Sequence, residues 1–419
     1  MTNVESEFEG TQLLKGNYAA AYAARAARVQ VVTAFPITPQ TLVVEKISEL
    51  VDSGKMKCEF VRMESEHSVM TGLIGASVAG ARTFTGTSGQ GLLYMAEPVH
   101  WAAGTRLPIV MSIASRGIAP PWNIWADFSD VLSQRDSGWL IQLTSTHQEI
   151  YDSILMGYKI CEDPEVMLPL MVAYGGFILS HTSKPVKMPP QSEIDAFLPE
   201  IPANGWDHIF LDADRPMMHG ALILPDDFYQ EFRMKIQLAQ LSAKEKIKAV
   251  TNEFKEKFGK DYGNGLYEEY QSSDAEYIII NCGEIAKQME LIVDLLREEG
   301  YKVGVIRLRT YRPFPSEELA TAVKHAKIIG VVDRATAFGS PTGGPISSDV
   351  RAALQNDPAT RNLMVVPFVN GLGGRDVLPE EQREQFEILF HVLEKGKYPK
   401  TKDLMYETYW TGTIDRRKT

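Results

Sequence analysis

Apolar and polar positions in the first 180 residues switch repeatedly between two periods. Short unbroken apolar runs read as strands buried on both faces, and longer stretches with apolar residues every three to four positions read as helices. Residues 17–28 (NYAAAYAARAAR) are an Ala-rich helix and 29–35 (VQVVTAF) a buried strand. From Thr41 to Val51 the apolar positions Leu42, Val43, Ile47 and Leu50 mark one helical face. Phe60 and Val61 belong to a short strand, 67–80 to a helix of small residues, 82–86 to a strand and Leu92–Ala103 to a helix. Leu107–Ile113 and Leu168–Val172 are two more apolar strands. This alternation predicts an α/β fold, a parallel sheet with helices on both faces.

The pattern then changes. Residues 183–205 are rich in proline and predict an irregular surface connector, and 226–258 contain a long, highly charged helix that bridges domains. A coiled coil is the alternative for that helix, although its apolar repeat is poorly kept. A second α/β unit opens near Ala275: strands at Tyr277–Asn281, Lys302–Leu308, Ile328–Val332 and Met364–Val369, helices at Ile285–Glu298 and Ser316–His325. The expected division is therefore 1–255 with connector and long helix, and 270–419.

Composition narrows the function classes. The net charge of −11 leaves no basic stripe for nucleic acid. Cys58, Cys161 and Cys282 lie far apart, which argues against a disulfide framework, a zinc site or an iron–sulfur cluster held within this chain. The acidic start MTNVESEFEG is unlike a signal peptide, and no apolar run reaches the roughly 18 residues that span a bilayer. A soluble cytoplasmic protein is expected.

Four segments carry candidate chemistry, and each follows a predicted strand. Phe35-Pro36-Ile37-Thr38-Pro39 presents a hydroxyl from a loop stiffened by two prolines, or simply caps a helix with Thr38. Glu64-Ser65-Glu66-His67 puts a carboxylate at a helix start, where the dipole favours its charged form. Thr87-Ser88-Gly89-Gln90-Gly91-Leu92 is a turn that lets an anion or cofactor approach, without the spacing of a dinucleotide fingerprint. Ser115-Arg116-Gly117-Ile118-Ala119 offers an arginine suited to a carboxylate; Pro120-Pro121-Trp122-Asn123-Ile124-Trp125-Ala126-Asp127 after it either packs in the core or walls a pocket. Ligand sites in parallel sheets lie at the carboxyl ends of strands, so the four should converge on one rim.

At these segments the chain resembles the separate α subunits of the pyruvate:ferredoxin oxidoreductase family. PITP, SEH, TSGQGL, SRGIA, NIWADFSD, QRDSGW, GFILSHT, the Arg309–Pro315 segment, Asp333-Arg334 with Phe338-Gly339, and Gly371–Asp376 follow the family order. The resemblance implies a pyrimidine-binding-type thiamine diphosphate domain followed by a domain like the transketolase C-terminal one. It implies that Glu66 hydrogen-bonds the cofactor's aminopyrimidine, that Thr38 and Arg116 contact the 2-oxoacid, and that Pro36, Ile37, Ser88, Gln90 and Gly91 border the cofactor. It further implies oxidative decarboxylation of a 2-oxoacid to acyl-coenzyme A and carbon dioxide.

The chain has no Gly-Asp-Gly with a downstream Asn, the usual diphosphate–Mg2+ signature of thiamine enzymes. The resemblance therefore assigns Mg2+ and [4Fe-4S] clusters to partner polypeptides: a β subunit, a γ subunit and a ferredoxin-like δ subunit, with ferredoxin or, through an added flavoprotein, NAD as acceptor. Phe128 and Trp122 replace the histidine and the smaller aliphatic residue usual in pyruvate-type members. If they line the pocket, with Asn123 and Asp127 beside them, a branched or aryl oxoacid such as phenylglyoxylate fits; if they face the core, pyruvate does. A thiamine-dependent dehydrogenase or transketolase-like subunit without iron–sulfur partners, and a non-catalytic scaffold, are the alternatives.

Overall fold

Central strands buried on both faces, with more exposed strands at the edges and helices between them, build two seven-stranded sheets. The computed structural model describes residues 7–201, 211, 213–405 and 407–414. The first unit runs β1 (Gly10–Lys15), α1 (Gly16–Ala26), β2 (Val31–Ala34), α2 (Thr41–Asp52), β3 (Glu59–Arg62), α3 (Glu66–Val78), β4 (Thr83–Thr87), α4 (Gly89–Tyr94) and α5 (Ala96–Gly104). It continues with β5 (Val110–Ser115), α6 (Ser129–Leu132), β6 (Leu140–Leu143), α7 (His147–Cys161), β7 (Leu170–Gly175), β8 (Ser183–Met188) and α8 (Gln191–Phe197). The long helix α9 (Tyr229–Phe258) follows and ends on Gly259, whose φ of 66° is the left-handed conformation of a helix terminus. The second unit comprises β9 (Tyr267–Tyr270), β10 (Tyr277–Cys282), α10 (Gly283–Glu298), β11 (Val303–Leu308), β12 (Thr310–Arg312), α11 (Ser316–Val323) and β13 (Ile328–Asp333). It closes with α12 (Pro345–Asn356), β14 (Met364–Val369), α13 (Pro379–Lys395), β15 (Leu404–Met405) and β16 (Thr408–Trp410).

The first sheet has the order β12-β6-β7-β5-β4-β2-β3 and is parallel except at β12. Val110, Met111 and Ile113 of β5 are fully buried, each such side chain contributing about 1.5–3 kcal/mol of transfer free energy. The alanines of α1 are also buried, and their small side chains let the helix pack closely on α7. The second sheet, β15-β16-β14-β13-β10-β11-β9, is parallel in its centre with antiparallel edges.

The two units are locked together by more than the connector. Strand β12, from the second unit, pairs antiparallel with β6 of the first. Glu149 on α7 is buried and accepts hydrogen bonds from Arg307 at 3.0 Å and Arg309 at 2.8 Å. Burial alone would raise its pKa, but the two guanidiniums hold it below the ordinary glutamate value. Helix α9 bridges as expected: Gln240 donates to the Gly138 carbonyl at 2.8 Å, while Lys244 and Lys248 pair with Glu318.

Several expectations are corrected. The proline-rich connector is not irregular throughout: Ser183–Met188 is β8, pairing antiparallel with β1, and Gln191–Phe197 is α8. Its last residues, 202–205, lie outside the described residues. The helix expected over Leu92–Ala103 is two helices that break at Met95. The strand expected at Leu107 starts only at Val110, because Pro108 has no N–H for the ladder.

Candidate active site

Strands β5, β4, β2 and β3 are parallel neighbours in that order, so their carboxyl ends form one continuous rim. The turns that leave those ends carry the four predicted segments. The loop after β2 is fastened from behind: Asn17 donates to the Pro39 carbonyl at 2.8 Å and accepts from Tyr174 at 3.0 Å. The Gln40 and Thr41 amides both bond the Ile37 carbonyl, which makes a tight turn that leaves Pro36 and Thr38 exposed and Ile37 half-buried.

After β3, Ser65 caps α3 by accepting from the Ser68 amide at 3.3 Å, which makes Glu66 the first helical residue. Glu66 is 7% exposed. The helix start was expected to favour its ionised form, but desolvation wins: burial raises the carboxyl's pKa against its own backbone N–H and the charge of Arg116. Gly91 makes the placement possible, since a Cβ there would stand 2.5 Å from Glu66 Oε1 and 2.6 Å from Thr87 Oγ1.

Arg116, just beyond β5, is 2% exposed. Its Nη2 donates to Gln90 Oε1 at 2.7 Å, so the turn after β4 orients the guanidinium. Burial lowers its pKa, and the charges of Asp130 and Glu66 oppose that shift. Gly89, at a φ of 49°, leaves space for the side chain; a Cβ on it would come 2.2 Å from Arg116 Nε. The rim thus brings together Glu66, Gln90, Gly91 and Arg116, with Thr38 on the next turn.

Three buried polar atoms on this rim, Thr87 Oγ1, Gln90 Nε2 and Arg116 Nε, have no hydrogen-bond partner among the described residues. Buried polar groups are otherwise almost always paired, so these atoms fit a site completed by a ligand. A carboxyl of raised pKa beside them suits a ring nitrogen with which it can share a proton.

The sequence left the directions of Phe128 and Trp122 open, and the structure separates the two. Phe128 is 0% exposed; its ring lies against Gly283 and 6.0 Å from the Arg334 guanidinium, in the core between the units rather than at the rim. Asn123 and Asp127 bond the Gly373 carbonyl at 3.0 Å and the Gly373 amide at 3.2 Å, and Asn123 also lines an open cavity with Trp125 and Leu372. Ser88 donates its hydroxyl to the Ala114 carbonyl at 2.7 Å, which ties β4 to β5 rather than freeing it for a cofactor. Trp122 does reach the site: it is 76% exposed and stands 5.7 Å from the Arg116 guanidinium. Sequence reasoning missed Asp130 and Asn17 as site residues and named Thr87 only as part of the turn after β4. Asp130 lay inside the NIWADFSD segment, but its contacts come from distant turns.

A parallel sheet covered on both faces, with a buried acid and a buried guanidinium on one rim, defines a two-unit α/β protein with a ligand-type site at the carboxyl edge of its first sheet. Comparison with known proteins sharpens this. The family model for pyruvate flavodoxin/ferredoxin oxidoreductase, thiamine diphosphate-binding, matches residues 22–252, and that for pyruvate:ferredoxin oxidoreductase core domain II matches 275–382. The chain belongs to the pyruvate:ferredoxin oxidoreductase family. It is 45% identical over 389 residues to a ketoisovalerate oxidoreductase subunit, VorA, of Pyrococcus horikoshii, covering 93% of this chain and 96% of that one. It is 44% identical over 388 residues to a pyruvate synthase subunit, PorA, of Pyrococcus abyssi, with the same coverage of 93% and 96%. The fold resembles a 2-oxoglutarate:ferredoxin oxidoreductase from Magnetococcus marinus solved with 2-oxoglutarate, coenzyme A and succinyl-coenzyme A (TM-score 0.70, 18% identity, 90% of this chain). This chain spans 65% of that one. No helix among the described residues is long and apolar enough to cross a membrane.

Proposed function

We propose that this chain is the α subunit of a 2-oxoacid:ferredoxin-type oxidoreductase and contributes half of its active site. The observation that carries the reading is Glu66 and Arg116 on one rim, near enough for each charge to act on the other, beside buried polar atoms that have no partner within the described residues. Thiamine diphosphate, when bound, supplies the carbon nucleophile and electron sink for decarboxylation. Glu66 holds a proton at its carboxyl and shares it with the aminopyrimidine ring nitrogen. Gln90 and Gly91 border the cofactor; Pro36 and Ile37 flank it from the neighbouring turn. Arg116 binds the substrate's carboxylate, and Thr38 adds a hydrogen bond from the exposed edge.

Mg2+, the diphosphate anchor and the [4Fe-4S] clusters belong, in this reading, to a β subunit, with γ and ferredoxin-like δ subunits completing a cytoplasmic complex. Coenzyme A takes the acyl group; ferredoxin, or NAD through a flavoprotein, takes the electrons. The substrate is pyruvate or a bulkier branched or aryl 2-oxoacid such as phenylglyoxylate. Phe128 lies in the core and no longer argues for a bulky substrate, whereas exposed Trp122 beside Arg116 still supplies an apolar wall.

The test is the assembled complex carrying Glu66→Gln, assayed with a panel of 2-oxoacids, coenzyme A and a dye acceptor. An amide cannot share the proton, so kcat should fall by about 100-fold or more. An unchanged kcat would favour a scaffold role.

A further inference from the structure

Asp130 is fully buried, yet its carboxylate touches the backbone of the proposed substrate-binding arginine. Its Oδ2 accepts from the Gly89 amide at 2.8 Å and from the Arg116 amide at 3.2 Å. Its Oδ1 accepts from the Ser115 hydroxyl and from its neighbour, the Val131 amide, at 2.7 Å. One carboxylate therefore joins the turn after β4 to the turn after β5. Those two turns carry the two ends of the Gln90–Arg116 hydrogen bond. The tolerance is small, because Gly89 lies under the guanidinium where even a methyl group would come 2.2 Å from Nε. The charged groups near Asp130 are Arg116 and Asp127, and neither makes an ion pair with it. A buried carboxyl without an ion pair is costly: desolvation pushes its pKa up to about 6. Four hydrogen bonds to one buried acid are consistent with a local purpose that outweighs this cost.

We propose that Asp130 is a positioning residue: by bonding the Gly89 and Arg116 amides together it aims the Arg116 guanidinium at the substrate's carboxylate. This rests on the reading that Arg116 binds that carboxylate. Charge and geometry predict opposite results. Asp130 is negative and lies near Arg116, so on charge alone its removal would strengthen binding of an anion. If it acts by position, its removal weakens that binding.

The experiment uses the assembled complex loaded with thiamine diphosphate, without coenzyme A or acceptor, and isothermal calorimetry of two unreactive probes. Oxamate carries the oxo-carboxylate head common to all candidate substrates; oxamide replaces its carboxylate by a neutral amide. The preference for oxamate over oxamide measures the contribution of the carboxylate. Asp130→Asn should reduce that preference about tenfold, the size of one hydrogen bond to a charged group. Ser115→Ala removes a single donor to Asp130 with little change of volume. It should reduce the preference about twofold to threefold, and it keeps the idea testable if the Asn variant does not fold. A preference that is unchanged or increased in a folded variant overturns the proposal. So does an equal loss of both probes, which would mean a purely structural role. Arg116→Ala is the control: a preference that survives it refutes the assignment of Arg116 itself, a different failure.

Discussion

Replacing Arg116 by alanine separates the substrate-binding assignment from simpler ones. The side chain is nearly inaccessible, so its attraction for an anion is little screened by solvent. A hydrogen bond to a charged group contributes about 1.5–3 kcal/mol, and each 1.4 kcal/mol is tenfold. Arg116→Ala should therefore raise KM for the 2-oxoacid roughly 10- to 150-fold. Thr38 is exposed and uncharged, so Thr38→Ala should raise it only about twofold to tenfold. A second signature follows from the electrostatics. Arg116 holds the Glu66 carboxyl down against the larger upward push of burial. Without Arg116 the Glu66 pKa rises further, and where activity depends on its titration the pH profile should shift upward. The assay is steady-state kinetics of the assembled complex with dye reduction, from pH 5 to 9, at saturating coenzyme A. Equal KM effects for Arg116→Ala and Thr38→Ala would refute the reasoning.

Two further outcomes test the surroundings. Gly91→Ala places a methyl group against both Glu66 and Thr87; it should weaken thiamine diphosphate binding to the complex by at least about tenfold, read by near-UV circular dichroism, while alanine's better helix propensity keeps α4 intact. Glu149→Gln strands Arg307 and Arg309 between the units; it should cost about 3 kcal/mol, toward the lower end for a broken buried pair because Glu268 still neutralises Arg307, and the urea midpoint should fall. The folded-state pKa of Glu149 lies below the ordinary value, so its stabilisation is present at neutral pH and lost as pH falls below the usual glutamate range. The Gln variant should show less of that acid sensitivity, and an unchanged slope would assign acid unfolding to other groups.

The rim was legible in the sequence for a simple reason. In a parallel sheet every strand ends at the same edge, so segments that each follow a strand must meet, and Glu66, Gln90, Gly91 and Arg116 do. The resemblance of ordered motifs then supplied chemistry that the residue types alone left open. What was not legible depends on contacts between distant turns. Asp130 acts on residues 14 and 41 positions away, which no spacing rule encodes. The direction of Phe128 was undecidable from sequence because a loop has no periodicity to fix a face; it points into the core against Gly283. Strands β8 and β12 escaped notice for related reasons. Pro185 and the polar residues of β8 suit an edge strand and mimic a loop, and β12 pairs with the sheet of the other unit.

The central claim is that this chain holds half of a thiamine diphosphate site and that a partner polypeptide holds the rest. Equilibrium binding of the cofactor with Mg2+, followed by near-UV circular dichroism on this chain, on its partner and on the two mixed, tests it most directly. A binding signal that requires both chains and is lost with Glu66→Ala is the predicted result. Tight, stoichiometric binding by this chain alone, or binding by the mixture that is indifferent to Glu66, would contradict it.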